Sequence, residues 1–140
     1  MEMFTHTSSM TPRVVGAVAI GGAIGATARW AVGNPWTLEP GTWPWATLIV
    51  NVVGSLAIGF AARRLMVDTV GWAFVVTGIL GGFTTFSAFA VELNGMVEAE
   101  RSEMAVAYGA VTLVAGVGAT LIARVGSTQV GSNPQEPAAS

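Results

Sequence analysis

Residues 81–90, GGFTTFSAFA, combine glycines, hydroxyls and aromatic rings inside a segment without a charged side chain. Gly81 and Gly82 weaken a helix, and the hydroxyls of the two threonines compete for backbone carbonyls. The pattern therefore predicts an interrupted helix, whose freed carbonyl oxygens would suit a hard cation. The edges of the rings at Phe86 and Phe89, which are three residues apart, carry partial positive charge and can contact an anion.

Other polar side chains in the apolar segments recur at helical spacing. Thr47 and Asn51 are four residues apart, as are Tyr108 and Thr112, so each pair shares one face of a helix. Two polar faces and one aromatic face indicate a lined path, although Thr and Asn also join helices and phenylalanines also fill space. From the polar residues within or next to these segments we select as candidates Arg29, Thr47, Asn51, Thr84, Thr85, Ser87, Glu92, Tyr108 and Thr112.

Three of these residues differ in the charge that they would bring to such a path. The uncharged amide of Asn51 can donate N–H groups to an anion without holding it as tightly as a full charge would. Glu92 is either part of the path or an interfacial partner for a neighbouring donor. Arg29 either extends to the headgroups or draws anions towards a vestibule.

Four long apolar segments are the elements that must position these residues. Cutting the chain at its charged side chains leaves residues 14–28, 41–62, 69–91 and 104–123. The last three reach the length of about 20 residues that a helix needs to cross a bilayer. The first does so only if Arg29 lies near the interface or faces protein. The sequence therefore predicts an all-α membrane protein with four transmembrane helices, the third broken near its middle.

The remaining regions differ in composition from this apolar core. Residues 1–12 are predicted to be a polar lead-in, residues 13–125 the four-helix transmembrane domain, and residues 126–140 a disordered polar tail. Three prolines and three tryptophans in the loop NPWTLEPGTWPW place it at a membrane face. Small residues at four-residue spacing, such as Gly21 and Gly25, predict close helix packing in lipid.

Composition and charge exclude several classes of function. The chain has no cysteine and one histidine, His6, which lies in the polar lead-in. A catalytic nucleophile with its base cannot be assembled within the apolar segments, so an enzyme is rejected. With a net charge of −2 and no lysine, the chain has no basic surface for nucleic acid.

Three segments resemble, in this order, the signatures of the CrcB (Fluc) fluoride channel family. They are GGAIGATARW at 21–30, TLIVNVVGSLAIGF at 47–60 and GILGGFTTFSAFAVE at 78–92. The resemblance implies a four-helix subunit that forms an antiparallel dimer with two narrow fluoride pores. Fluoride would leave the cytoplasm passively across the cell membrane of a prokaryote. The partner would be a second copy, giving a homodimer. The arginines of this chain are biased towards one side of the membrane, which leaves a heterodimer with an oppositely inserted homologue as an alternative.

The resemblance also assigns roles to individual residues. The backbone carbonyls of Gly81 and Thr84 would hold a structural sodium ion (Na+) at the dimer axis, and Arg29 would face a vestibule. Two positions depart from the family pattern, because Ala88 and Gly116 lack hydroxyls that are common there. The residues expected along the fluoride pore are Phe86, Phe89, Asn51, Thr47, Tyr108, Thr112, Ser87 and Glu92.

Two other functions fit a small four-helix membrane protein. A small multidrug resistance-type exporter would exchange protons for cationic drugs and needs a carboxylate early in its first helix. The segment VVGAVAIGGAIGA contains none. A scaffold or assembly protein would not require the glycine and threonine interruption in the third helix.

Overall fold

The computed structural model describes residues 11–33 and 41–125, and every element within them is helical. The third of its four long spans, Val70–Glu98, consists of three helices and a π-helical segment. The elements in chain order are α1 (Pro12–Gly33), α2 (Trp45–Arg64), α3 (Val70–Trp72), the π-helical segment Ala73–Leu80, α4 (Gly81–Phe83), α5 (Phe86–Glu98) and α6 (Ser102–Val125).

The prediction of an all-α chain with four long apolar helices is confirmed. The four spans are 22, 20, 29 and 24 residues long, enough for a bilayer core of about 30 Å. Their outward faces carry exposed apolar side chains such as Ile20, Leu56 and Val114, which lipid accommodates better than water. The predicted polar ends fall mostly outside the described residues, because 1–10, which include His6, and 126–140 are not described. Residues 34–40 of the loop between the first two spans are not described either.

The first span is longer than its apolar segment because Arg29 is part of α1. Its guanidinium turns towards the third span, and Nη1 donates to the Thr84 carbonyl oxygen at 3.3 Å. An arginine that faces protein avoids the cost of exposing its charge to hydrocarbon. This contact lets the helix continue past Arg29 to Gly33.

Glycines bring α1 into direct backbone contact with the π-helical segment and α4. A Cβ atom on Gly21 would lie 2.5 Å from the Phe74 carbonyl oxygen, and one on Gly25 would overlap the carbonyl of Ile79. A side chain at either position would therefore push the two helices apart, which explains the small residues at this spacing. The contacts advance in the same order along both spans, so the two spans run parallel.

The helices α2 and α6 form a second parallel pair. Gly59 leaves room for the Thr120 backbone. The Thr120 Oγ1 lies 3.1 Å from the Ser55 carbonyl oxygen and 3.0 Å from that of Gly116, and its one hydrogen can be donated to either. Near the ends of these helices, the Arg63 guanidinium donates to the Ala123 carbonyl. A buried cluster where α2, α5 and α6 meet completes the packing, and its members are Leu48, Phe89, Met96, Ala105 and Tyr108.

The third span is interrupted, as its sequence predicts. Thr84 has φ −73° and ψ 156°, and Thr85 has φ −145° and ψ 119°, so both residues are extended. The Thr84 backbone N–H and its hydroxyl both donate to the Leu80 carbonyl at 2.9 Å, which ends the first half. The Thr85 hydroxyl then accepts from the Ala88 N–H at 3.1 Å and caps α5. The π-helical turn before the break was not predicted from the sequence.

Gly25→Ala should lower the free energy of unfolding by about 1–3 kcal/mol, because the new methyl group would overlap the Ile79 backbone. Gly22→Ala is the matched control, since a Cβ there meets nothing within 4 Å. A denaturant titration in detergent micelles, followed by circular dichroism, measures both variants. Equal destabilisation of the two would contradict the proposed packing.

Candidate functional site

The break in the third span is held by the side chain of Asn51 on α2. Its Nδ2 donates to the Thr85 carbonyl oxygen at 3.0 Å, and the Thr85 N–H donates to its Oδ1 at 2.8 Å. The amide thus pairs with the extended backbone as a neighbouring strand would. In an unbroken helix, the Thr85 N–H would instead donate to the carbonyl of Gly81. The break therefore deprives that carbonyl of its usual donor.

A small pocket of about 180 Å³ opens beside this pair. No charged residue lines it, yet it retains capacity for hydrogen bonding. The Asn51 amide has two N–H groups, of which the Thr85 carbonyl takes one. The Thr112 hydroxyl is buried and has no hydrogen-bond partner among the described residues. The pocket is lined by Asn51, Thr85, Phe86, Phe89, Thr112 and Leu113.

Two phenylalanines on the first turn of α5 form the aromatic wall of this pocket. The ring centroids of Phe86 and Phe89 are 5.7 Å apart, and their planes are tilted by 47°. Phe89 is 6% exposed and belongs to the core, whereas Phe86 is 77% exposed and projects from the surface of the chain. The Phe89 ring is therefore fixed by packing within the subunit, whereas the Phe86 ring is free to contact a neighbouring molecule.

The Glu92 carboxylate lies one turn beyond Phe89 and joins three helices. Thr47 on α2 donates to its Oε1 at 2.5 Å, and Tyr108 on α6 donates to its Oε2 at 2.7 Å. Thr47 and Tyr108 are both buried. Because each hydroxyl has only one hydrogen, neither can donate to a second acceptor while it holds the carboxylate. These three residues form a hydrogen-bonded triad behind the aromatic wall and do not line the pocket.

The structure thus divides the residues predicted for the path. Asn51, Phe86, Phe89 and Thr112 come together in the pocket. Thr47, Glu92 and Tyr108 form the adjoining triad, which touches the aromatic wall where the Phe89 and Tyr108 rings are 5.3 Å apart.

Ser87 and Arg29 lie beside the break without lining the pocket. Ser87 is exposed, and its Oγ is 3.2 Å from the Thr85 Oγ1. Arg29 contacts Thr84, the other extended residue of the break, since its guanidinium donates to the Thr84 carbonyl. Its positive charge therefore sits at the break itself.

Gly81 and Thr84 offer neutral oxygen ligands rather than an acidic cation site. The described residues contain no cluster of three or more acidic, histidine or cysteine side chains that could hold a metal. The carbonyls of residues 81–84 lose their regular helical donors at the break, and Gly81 is exposed on the surface of the chain. Such carbonyls are suitable ligands for a hard monovalent cation, although the Thr84 oxygen also accepts from Arg29.

Sequence reasoning missed three residues of this region. Thr85 belongs to the polar set of the apolar segments but was not assigned to the site, although its backbone anchors the break. Leu113 lines the pocket, and nothing in its type distinguishes it from other membrane leucines. Trp43 packs its ring edge-on against Tyr108, with centroids 5.6 Å apart and planes at 76°.

Comparisons with known proteins extend this description. Residues 16–124 match the family described as CrcB-like protein, Camphor Resistance (CrcB). The chain is 45% identical over 107 residues to the fluoride-specific ion channel FluC 2 of Streptomyces avermitilis, covering 71% of this chain and 66% of that protein. It is 44% identical over 112 residues to the fluoride-specific ion channel FluC of Bordetella petrii, covering 77% of this chain and 86% of that protein.

A third relative, the fluoride-specific ion channel FluC of Hyphomonas neptunium, is 44% identical over 108 residues, or 73% of this chain and 85% of that protein. The family match includes nearly all of the four spans, the break and the pocket residues. This chain is a member of the CrcB-like protein family.

Proposed function

We propose that the chain forms a fluoride-selective channel in the cell membrane and lets fluoride leave the cytoplasm passively. The observation that carries this proposal is the pocket at the break, which combines an amide donor, a buried hydroxyl and two aromatic rings without a charged lining residue. An anion in such a pocket would contact N–H and O–H groups and ring edges. Relatives whose names describe fluoride-specific channels support the choice of anion.

The absence of charge from the lining of the pocket suits conduction rather than storage. A permeating ion must bind well enough to give up water and weakly enough to leave again. Neutral donors achieve this balance, whereas a lysine or arginine in the wall would hold an anion more tightly. The membrane potential supplies the driving force, about 2.3 kcal/mol for each charge per 100 mV. Fluoride export then needs no nucleotide, and the glycines at 21–25 lack the lysine of a phosphate-binding loop.

The exposed ring of Phe86 supports assembly with a second subunit. At 77% exposure, this ring leaves one side of the pocket open in a single chain. We propose that an antiparallel partner covers it and that the dimer contains two pores. Arg13, Arg63, Arg64 and Arg124 would lie on one side of the membrane, with Arg29 and Arg101 towards the other. By the positive-inside rule, this bias favours cytoplasmic termini, so an oppositely inserted homologue is a partner to consider beside a second copy.

The same assembly would bring two broken spans together around a sodium ion. The carbonyls of Gly81 and Thr84 from two chains would supply oxygen ligands without any carboxylate. Sodium would contribute a fixed positive charge that holds the two breaks together. Because its ligands are backbone atoms, the proposed site depends on the geometry of the break and not on a metal-binding side chain.

Phe86→Ile and Phe89→Ile should each lower fluoride efflux about tenfold, because an aliphatic side chain lacks the positive ring edge. A fluoride electrode records efflux from liposomes that contain only the purified protein. Phe60→Ile is the matched control, since Phe60 lies on α2 near Arg63 and Arg64 and away from the pocket. Unchanged fluoride efflux in both pore variants, or equal wild-type efflux of chloride, would contradict the proposal.

Asn51→Ala should accelerate hydrogen exchange of the Thr85 amide about tenfold or more, because the acceptor of that N–H is removed. Val53→Ala, which truncates an exposed apolar side chain on the same helix, should leave this exchange rate unchanged. Exchange measured by mass spectrometry on peptides that contain residues 80–90 distinguishes the two. Similar rates in both variants would mean that Asn51 does not hold the break.

Sodium should raise the melting temperature of the dimer in detergent by several degrees relative to N-methylglucamine at equal ionic strength. The expected cause is preferential binding of sodium to the folded dimer, which stabilises it by mass action. Size-exclusion chromatography after heating reports the fraction that remains dimeric. Identical melting in the two salts would remove the sodium site from the proposal.

A further inference from the structure

Two buried side-chain polar atoms have no hydrogen-bond partner in the described part of the chain: Thr112 Oγ1 and Trp43 Nε1. Thr112 lines the pocket, so its free hydroxyl belongs to the proposed fluoride site. Trp43 does not line it. Buried N–H groups almost always have an acceptor, and within a membrane protein the requirement is stricter still. The indole N–H of Trp43 therefore needs an acceptor that the described side chains and backbone do not supply.

A continuous row of aromatic contacts connects this N–H with the pocket. The Trp43 ring packs edge-on against Tyr108 at 5.6 Å, Tyr108 contacts Phe89 at 5.3 Å, and Phe89 contacts Phe86 at 5.7 Å. The row starts at the pocket and ends at Trp43, immediately before α2 begins. It leads from the break to one end of the helix bundle.

The end of this row is a membrane face. The helix α5 ends and α6 begins within a few residues of Arg101, whose guanidinium donates to the Gly41 carbonyl at 2.8 Å. Trp43 is two residues after Gly41, so it lies where the loops of this face meet. An ion that leaves the pocket along the aromatic row would pass Trp43 before it reaches water.

No polar group of the described residues accepts a hydrogen bond from the Trp43 N–H. The Glu92 carboxylate accepts from Thr47 and Tyr108 instead. The indole N–H is a donor only, so it selects acceptors and offers nothing to a cation in the ring plane. Fluoride is a small, strongly accepting anion, and a neutral N–H can bind it without trapping it.

We propose that Trp43 Nε1 is a second N–H binding point for the permeating fluoride, between the pocket and the membrane face. This inference rests on the proposed channel function and adds to it a residue outside the pocket. Asn51 donates at the break, and Trp43 donates eight positions earlier in the chain, while the Thr47 hydroxyl between them is held by Glu92. Two successive weak binding points allow an ion to lose and regain its water in steps.

Trp43→Phe tests this role, because phenylalanine keeps an aromatic ring against Tyr108 and removes only the N–H donor. Fluoride efflux from liposomes should fall about tenfold, the effect of losing one hydrogen bond to a charged group. Trp45→Phe is the matched control, since Trp45 is 52% exposed and its ring lies 5.8 Å from that of Trp43. Its efflux should equal that of the wild type.

Trp43→His separates the N–H donor from the size of the indole. At about pH 8 the imidazole is neutral and retains one N–H, so efflux should recover above that of Trp43→Phe. Efflux of Trp43→Phe equal to wild type would overturn the role of Trp43 while leaving the channel function intact. The absence of fluoride efflux from liposomes that contain the wild-type protein would instead overturn the channel function itself.

A direct measurement covers the case in which the Trp43 variants do not assemble. The indole N–H resonances of nitrogen-labelled wild-type protein are followed in detergent during a titration with sodium fluoride and, separately, sodium chloride. The Trp45→Phe spectrum identifies the neighbouring resonance. A shift of the Trp43 resonance with fluoride alone supports the proposal, and a resonance that both salts leave unmoved overturns it.

Discussion

The pairing of the Asn51 amide with the backbone of Thr85 is the interaction on which the rest of the site depends. A helix in hydrocarbon must satisfy its own N–H and C=O groups, and two extended residues in its middle violate that requirement. Asn51 replaces both missing bonds, at 3.0 and 2.8 Å, with one side chain. The hydroxyls of Thr84 and Thr85 and the guanidinium of Arg29 satisfy further groups around the same point. The break is thus a defined structure, and the pocket lies beside it, lined by residues of the break, α2, α5 and α6.

Close helix packing holds these groups at hydrogen-bonding distance. Arg29 reaches the Thr84 carbonyl only because the glycines of α1 bring its backbone against the third span. Gly54 acts similarly on α2, one turn after Asn51, since a side chain there would overlap the Thr84 methyl group. Small residues therefore serve the site as well as the fold. They set the separations across which single side chains can bond to a neighbouring backbone.

The sequence predicts the elements of this protein more completely than their contacts. Uncharged length predicts three of the four spans, and the first follows once Arg29 is allowed to face protein. The glycines and threonines at 81–85 predict the interruption, because it depends on local chemistry. The partners of the polar residues depend on tertiary packing instead. Four-residue spacing places Thr47 with Asn51 on one face, yet in the structure Thr47 turns to Glu92 and Asn51 turns to Thr85. The π-helical turn before the break and the packing of Trp43 on Tyr108 likewise have no local signature in their residue types.

The position of Glu92 shows how one acidic residue can lie next to the proposed anion path. Its two oxygens each accept a hydrogen bond from a hydroxyl on another helix, which offsets part of the cost of burying this group. The ring of Phe89 lies between α2 and α6 near the pocket and contacts the Tyr108 ring that holds this carboxylate. Thr47 and Tyr108 thus satisfy both oxygens of Glu92, and the same hydrogen bond positions the Tyr108 ring against Phe89. An aliphatic residue at position 92 would remove the repulsion between the carboxylate and an anion in the pocket. It would also remove the hydrogen bonds that join α2, α5 and α6. A hydrogen-bonded carboxylate is therefore the arrangement that holds the aromatic wall in place.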